Sequence, residues 1–120
     1  MNIYFEQIID LYQHPRNFGR LKKPTVSHEE VNVFCGDKIR MDLGIKNDQI
    51  IDVAFGGSGC AISIASASLL TDMVHGKKLA LVKKITKENL LQSLNIELTP
   101  TRLKCAWLSW EVLQKALKKL

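Results

Sequence analysis

The order of the hydrophobic patterns predicts one domain in which a small three-stranded antiparallel sheet is combined with helices. A helical pattern comes first, three alternating stretches occupy the middle, and the second half of the chain is helical again. The 120 residues leave room for a single domain whose core holds together without disulfides. We therefore expect one domain over residues 1–120.

The first helix is predicted over residues 2–13, with Asn2 as the candidate N-cap. Its apolar residues recur at helical spacing, so that one face is apolar. They are Tyr4, Phe5, Ile8, Ile9, Leu11 and Tyr12. The next segment, residues 14–19, contains Pro15 and ends in Gly19, a combination that favours an ordered loop over a longer helix.

Three strands are predicted from alternating apolar and polar residues. The first lies within residues 25–34, and the second, Lys38–Lys46, alternates more cleanly. Asn47 and Asp48 form a turn, so the second and third strands make a hairpin. The apolar side of the third strand is predicted to consist of Ile51, Val53 and Phe55.

Residues 55–60 are predicted to form a glycine-rich corner, and a helix follows over Ala61–Val74. Its alanines and serines are small enough for close packing on a sheet, and Gly76 is expected to end it. Two short helices are then predicted, over residues 77–85 and Lys87–Leu94, with Thr86 as the candidate cap of the second.

The last helix is predicted to begin with Thr99 as its cap and Pro100 at the first helical position. It runs towards Leu120. Apolar residues recur along it every three or four positions, and we expect them to face the core. They are Leu103, Trp107, Trp110, Leu113, Leu117 and Leu120.

Composition narrows the class of protein without assigning a function. The net charge of +5 permits a nucleic acid, an acidic membrane or an acidic protein as a partner, but the lysines are scattered and favour plain solvated faces. No apolar stretch is long enough for a spanning helix, and no signal-peptide pattern is visible. We therefore expect a cytoplasmic protein, in which an odd number of cysteines argues against a disulfide framework.

The three cysteines carry the strongest chemical signal. Cys35, Cys60 and Cys105 each lie at the edge of a predicted element, and Asp37 follows two residues after Cys35. Three thiolates and one carboxylate make the four ligands of tetrahedral zinc, and the same thiolates suit an iron–sulfur cluster. Lys104 is placed to favour the thiolate form of Cys105 if its ammonium points inward.

Spacing alone leaves a second interpretation open. The cysteines are 25 and 45 residues apart, and no CxxC pair is present, so three unrelated core thiols remain an alternative to a metal site. The glycine-rich corner lacks the lysine of a phosphate-binding loop, and the serines that follow it form no nucleophile elbow. We assign catalysis to none of Ser63, Ser66 and Ser68.

Three sequence blocks resemble the U-type iron–sulfur cluster assembly proteins, the family of IscU, SufU and the N-terminal domain of NifU. The first block is YQHPRNFG at residues 12–19, and the second is CGD at residues 35–37. The third is FGGSGCAIS at residues 55–63, followed by ASAS at residues 65–68. The resemblance spans nearly the whole chain.

The segment around the third cysteine is similar to the SufU branch. IscU-type proteins have LPPVK followed by a histidine and the cysteine, whereas residues 99–110 here read TPTRLKCAWLSW, with Lys104 in the place of that histidine. The residues that look like SufU are Arg102, Lys104, Cys105, Ala106, Leu108 and Trp110. The 45-residue separation of the second and third cysteines resembles the shorter IscU arrangement instead.

The resemblance implies an α+β domain of the SufE/NifU-like fold, with three cysteines gathered at one end. In a SufU-like protein, zinc is bound by Cys35, Asp37, Cys60 and Cys105. Cys105 accepts persulfide sulfur from a PLP-dependent cysteine desulfurase, which would make the protein a zinc-dependent sulfurtransferase.

In an IscU-like protein, Cys35, Cys60 and Cys105 hold a [2Fe–2S] cluster for transfer, and the protein is a non-enzymatic scaffold. The recipients are apo iron–sulfur proteins or a downstream scaffold, and neither nucleic acid nor membrane is expected as a partner. A structural zinc domain with a protein- or RNA-binding surface fits the charge but ignores the three blocks.

Overall fold

The computed structural model of the chain describes residues 3–33 and 35–120, with side chains from residue 5 onward. The elements run in the order α1 (Ile3–Gln13), β1 (Val26–Val31), β2 (Lys38–Lys46), β3 (Gln49–Ser58), α2 (Ala61–Val74), α3 (Leu79–Val82), α4 (Lys87–Leu94) and α5 (Pro100–Lys118). The predicted cap Asn2 and the predicted end of the first strand at Phe34 lie outside the described residues.

The predicted three-stranded antiparallel sheet is confirmed, with the strands in the order β1-β2-β3. Asn47 and Asp48 join β2 to β3, and both have positive φ, 54° and 59°. Two-residue hairpin turns favour this backbone geometry because its twist matches that of the flanking strands. The hairpin predicted from these two residues is therefore also confirmed.

The predicted apolar side of β3 is wrong at Ile51. Ile45 pairs with Ile50 and Gly44 pairs with Asp52, so Ile51 is an extra residue in β3. Such a bulge shifts the alternation of side chains between the two faces of the strand. As a result Ile50 is fully buried, whereas Ile51 is 44% exposed. Val53 and Phe55 are buried as predicted.

The predicted glycine-rich corner begins later than the sequence pattern indicates. β3 continues through Gly56 and Gly57 to Ser58, and these residues pair with β2. Gly56 leaves room for the guanidinium of Arg40, since a Cβ there would lie 2.7 Å from one of its nitrogens. The change of direction before α2 is therefore left to Gly59 and Cys60.

The predicted loop at residues 14–19 is ordered and covers the free edge of β3. Gly19 N–H donates to the carbonyl oxygen of Phe55, and Phe55 N–H donates to that of Asn17, both at 2.9 Å. The side chain of Arg16 contacts Asp72 on α2 at 2.6 Å, and Asn17 donates to Thr71 and to Asp72, both at 3.0 Å. The loop therefore connects the edge strand β3 to α2 through hydrogen bonds, and it prevents this edge from pairing with a further strand.

α2 packs against β3 of the sheet and against the helices α1 and α5, and α5 also packs on β1 and β2. The small residues predicted to allow close packing are fully buried at Ser63, Ala65, Ser66, Ala67 and Ser68. The main core lies between the sheet, α2 and α5. A smaller core formed by Ile8, Leu11, Ala65, Leu94 and Ala106 joins α1, α2, α4 and α5.

The core-facing stripe predicted for α5 is partly wrong. Leu113 and Leu117 are buried as predicted, but Leu120 is 54% exposed and both tryptophans are only half-buried. α5 packs on the sheet and on α2 together, so its buried face is broad and includes small residues. The buried residues of the helix are Cys105, Ala106, Leu108, Ser109, Val112, Leu113, Ala116 and Leu117.

The tryptophans lie at the margin of the core. Trp110 Nε1–H donates to the carbonyl oxygen of Ile85 at 2.8 Å. The ammonium of Lys87 lies 4.5 Å and 5.3 Å from the ring centroids of Trp107 and Trp110, within the range of cation–π attraction. The two rings therefore contribute to packing between α4 and α5.

The predicted helix ends agree well with the structure. Thr86 caps α4 in a reciprocal capping box with Asn89, and α5 begins after Thr99 with Pro100 in its first turn. The first short helix covers only Leu79–Val82 of the predicted residues 77–85.

In the part of the chain that the structure describes, no helix combines the length and the apolar character needed to cross a membrane.

Candidate metal site

The three cysteines and Asp37 come from three separate parts of the fold. Cys35 and Asp37 lie in the loop between β1 and β2, Cys60 is the N-cap residue of α2, and Cys105 lies in the second turn of α5. Cys35 is exposed, Cys60 is half-buried and Cys105 is buried. Three inert core thiols, the alternative left open by spacing, do not describe this arrangement because Cys35 faces solvent.

Three of the four predicted ligands converge. The ligand atoms of Cys35, Asp37 and Cys105 all lie within 4.8 Å of one another. Cys60 borders this cluster: its backbone N–H donates to Asp37 Oδ1 at 3.2 Å, and its Sγ lies 3.6 Å from the hydroxyl of Ser63. In the described part of the chain, the fold thus brings the predicted residues to one place.

The donor atoms suit a thiophilic metal. Two sulfur ligands on one tetrahedral zinc ion stand ~3.8 Å apart, given bonds of ~2.3 Å. The separation of up to 4.8 Å between Cys35, Asp37 and Cys105 is close enough for small side-chain movements to bring them around one ion. Cys60 adjoins them as a fourth donor. The same thiols also fit an iron–sulfur cluster.

Asp37 is held as a carboxylate although it is only 4% exposed. Burial alone would raise its pKa, but hydrogen bonds from Ser63, Cys35, Cys105 and the backbone of Cys60 outweigh burial and hold the pKa below its usual value. The carboxylate also lies at the N-terminal end of α2, where the helix dipole favours negative charge. An ionised oxygen is the form that binds a metal cation.

The surroundings of Cys105 disfavour the ionised form of its thiol. Burial first, and then the neighbouring Cys60 and Asp37, raise the pKa of its thiol to about 12. Without a cation beside it, such a thiol is protonated at neutral pH and is a weak nucleophile. A bound cation would reverse this because positive charge favours the thiolate.

Lys104 is exposed, whereas its neighbour Cys105 is buried. With Asn32, Cys35, Pro100 and Thr101, Lys104 lines a cleft of about 320 Å³. Its predicted role in holding Cys105 as a thiolate remains a prediction, and its position beside Cys35 is the structural finding.

Sequence reasoning missed two residues of this site. Ser63 is fully buried, and its Oγ donates to Asp37 Oδ2 at 2.5 Å. Gly59 lies against the same carboxylate, since a Cβ there would be 2.8 Å from Asp37 Cγ. The available signal was the spacing of Ser63, which follows Cys60 by three residues and so shares its helix face.

A groove of about 880 Å³ adjoins the half-buried side of Cys60. Its wall is mostly apolar and includes side chains of α1, the first turn of α2 and the connection between α4 and α5, with Arg102 at one side. Cys60 is therefore approached from this groove, whereas Cys35 is approached from the cleft beside Lys104. The two outer thiols face different surroundings.

Comparison with known proteins gives the family. The pattern of the NifU-like N terminal domain matches residues 3–120. The zinc-dependent sulfurtransferase SufU of Bacillus subtilis is 33% identical, over 98% of this chain and 90% of that protein. The iron–sulfur cluster assembly scaffold protein IscU of Thermotoga maritima is 31% identical, over 98% of this chain and 94% of that protein.

Both alignments extend over 134 positions, more than the 120 residues of this chain, so each of these relatives carries residues that this chain lacks. A solved structure from Fervidobacterium islandicum, described as a SUF-system cluster assembly scaffold, superposes with a TM-score of 0.81 and 29% identity. It covers 93% of this chain and 94% of its own.

The NifU-like N-terminal structure from Brucella abortus superposes with a TM-score of 0.76 over 98% of this chain and 93% of its own. At 16% identity it supports the fold alone. The predicted α+β fold and the sequence resemblance are thus both confirmed. The chain belongs to the NifU-like N-terminal domain family, the U-type proteins that include SufU and IscU.

Proposed function

We propose that this U-type iron–sulfur cluster assembly protein is a sulfur acceptor of the SufU kind, which receives persulfide sulfur from a PLP-dependent cysteine desulfurase. One observation carries the proposal: the ligand atoms of Cys35, Asp37 and Cys105 lie within 4.8 Å of one another, with the thiol of Cys60 alongside. Such a set of thiols and one carboxylate suits zinc.

Cys35, Asp37, Cys60 and Cys105 would hold the zinc ion. When bound, zinc supplies the positive charge that keeps its thiol ligands deprotonated. Asp37 contributes an oxygen that is already ionised, because hydrogen bonds hold its pKa down. Lys104, at the mouth of the cleft beside Cys35, adds positive charge where a persulfide would approach.

The proposed transfer is a thiol–persulfide exchange. The thiolate of Cys105 attacks the outer sulfur of the desulfurase persulfide, a new S–S bond forms on Cys105, and the desulfurase cysteine leaves as a thiolate. No net oxidation or reduction takes place. Because Cys105 is only 3% exposed, its sulfur must first become accessible to the desulfurase.

A scaffold function is the second candidate. It is favoured by the 31% identity to a named IscU scaffold and by the 45-residue spacing of the second and third cysteines. Here Cys35, Cys60 and Cys105 hold a [2Fe–2S] cluster as cargo, and Asp37 provides a weaker bond that eases release to apo-proteins.

Metal content and visible absorption of protein purified without oxygen separate the two functions. Colourless protein with one zinc per chain supports sulfur acceptance, whereas brown protein with sulfide-to-iron charge-transfer bands supports the scaffold. Protein that binds neither zinc nor a cluster, even when both are supplied, would contradict both functions.

The acceptor residue is tested separately with a desulfurase and cysteine. Mass spectrometry of wild type should show one added sulfur atom on Cys105. The variant C105S should still associate with the desulfurase but carry no persulfide, while C60S should lose zinc. An added sulfur on Cys35 or Cys60, with Cys105 unmodified, would show that the acceptor is another cysteine.

A further inference from the structure

Ser63 lies among the predicted ligands although it is not one of them. It sits in the first turn of α2 and is fully buried. Its Oγ is 2.5 Å from Asp37 Oδ2, 3.3 Å from the carbonyl oxygen of Cys105 and 3.6 Å from the Sγ of Cys60. One hydroxyl thus contacts the β1–β2 loop, the start of α2 and α5.

A serine hydroxyl has one proton, so it makes one strong donation. Among its acceptors the carboxylate of Asp37 is both the nearest and the only charged one, and charge-assisted hydrogen bonds are the shorter and stronger kind. The proton of Ser63 therefore goes to Asp37. The lone pairs of its oxygen face Cys60, whose thiol can donate to them.

The other oxygen of Asp37 is held from the same helix turn. Asp37 Oδ1 accepts from the backbone N–H of Cys60 at 3.2 Å, and Gly59 leaves just enough space for the carboxylate. A carboxylate fixed at both oxygens has a defined orientation. Cys60 and Ser63 both lie at the start of α2, so the helix, a rigid element, fixes the orientation of the carboxylate.

We propose that Ser63 is a positioning residue of the metal site: its hydrogen bond orients the carboxylate of Asp37 towards the sulfur atoms of Cys35 and Cys105, and so determines how tightly the metal is held. This inference rests on the metal site of the proposed function. Hydrogen bonds to a metal-ligating side chain commonly change metal affinity by about 10- to 100-fold when they are removed.

Ser66 supplies a matched control. It lies one helical turn further along α2 and is also fully buried, but its Oγ has no hydrogen-bond partner among the described residues. Ser66→Ala therefore removes the same atom from the same helix without touching Asp37. An effect on zinc binding that Ser63→Ala shows and Ser66→Ala does not show is therefore assigned to the loss of the hydrogen bond to Asp37.

The experiment measures zinc affinity by competition with a chromophoric chelator, together with the rise in melting temperature on adding zinc to metal-free protein. We expect Ser63→Ala to bind zinc about tenfold more weakly and to show a smaller rise, with Ser66→Ala equal to wild type. A merely structural role would lower the melting temperature with and without zinc alike and leave the rise unchanged.

A double-variant cycle with Asp37→Ala tests the route of the effect. Since Ser63 acts through Asp37, Ser63→Ala should not weaken zinc binding further in the Asp37→Ala background. Should Ser63→Ala fail to fold, Ser63→Thr keeps the hydroxyl and should bind zinc as wild type does. Equal zinc affinities for Ser63→Ala and Ser66→Ala, or weakened binding by a folded Ser63→Thr, would overturn the proposal. Wild type that binds no zinc would instead overturn the metal site.

Discussion

Gly57 lies directly against the main-chain carbonyl of Lys38: a Cβ on Gly57 would be 1.9 Å from that oxygen, and its φ is +144°. Both the backbone angle and the lack of space demand glycine at this position. Gly57 pairs with Ile39. Ile39 follows Asp37 by two residues, and Gly57 precedes Cys60 by three residues. This contact therefore sets the distance between the two loops that carry the site.

Gly57→Ala should destabilise the protein by about 4 kcal/mol or more, because the backbone itself must shift. Gly76→Ala is the control: Gly76 also has positive φ, +79°, but a Cβ there meets nothing within 4 Å. It should cost about 1–2 kcal/mol, the penalty of the left-handed backbone alone. Urea unfolding of both variants checks this. Equal losses would show that the contact with Lys38 contributes nothing.

Local patterns predicted the elements well because each depends on neighbouring residues. Thr86 and Thr99 marked helix starts, and the Asn47–Asp48 pair marked the hairpin. The exposure of Ile51 could not be predicted, since the bulge exists only in the pairing of β3 with β2. The broad buried face of α5 likewise depends on having two packing partners, which no single-helix periodicity reveals.

Gly59→Ala should weaken metal binding about tenfold while leaving the fold nearly unchanged. The φ of Gly59 is not in the left-handed region, so the backbone accepts alanine, but the new Cβ would lie 2.8 Å from Asp37 Cγ. The carboxylate must then move from its place beside Cys35 and Cys105. Zinc affinity measures the expected loss of metal binding, and the urea midpoint measures the stability of the fold. An unchanged zinc affinity would contradict the expected displacement of Asp37.

The candidate site was predictable as a set of residues but not as an arrangement. The cysteines and Asp37 stood out through their chemistry at element edges. The hydrogen bond from Ser63 joins residues 26 positions apart, and Cys35 is exposed in a loop whereas Cys105 is buried on α5. Such relations arise only when the three chain segments meet.

Thiol reactivity should follow exposure in protein freed of metal by a chelator. Cys35 is exposed, whereas Cys105 is buried and has its pKa raised to about 12, so iodoacetamide at neutral pH should modify Cys35 first and Cys105 last. Peptide mass spectrometry over time gives the order. Adding zinc before the reagent should protect Cys35 as well. Rapid modification of Cys105 in folded protein would contradict the buried placement.

Asp37 should make the metal-free protein sensitive to acid. Its pKa is lower in the folded protein than in the unfolded chain, so its ionised form stabilises the fold above the unfolded-state pKa of ~3.9. That contribution is lost as the pH falls through the lowered folded-state pKa. Between pH 6 and pH 2, wild type should therefore lose more stability than Asp37→Asn. Urea unfolding in the presence of chelator measures this, and equal losses would contradict it.

Removing zinc should loosen the loops at Cys35 and Cys60 far more than the sheet. The hairpin of β2 and β3 has its own apolar support in Ile39, Met41, Leu43, Ile50 and Phe55, each fully buried and independent of the ligands. A zinc finger unfolds without its metal because it lacks such a core, whereas this 120-residue chain has one. Amide hydrogen exchange with and without chelator should show faster exchange at residues 35–37 and 59–61. Uniform loss of protection across the hairpin would mean that the metal, and not this core, holds the sheet together.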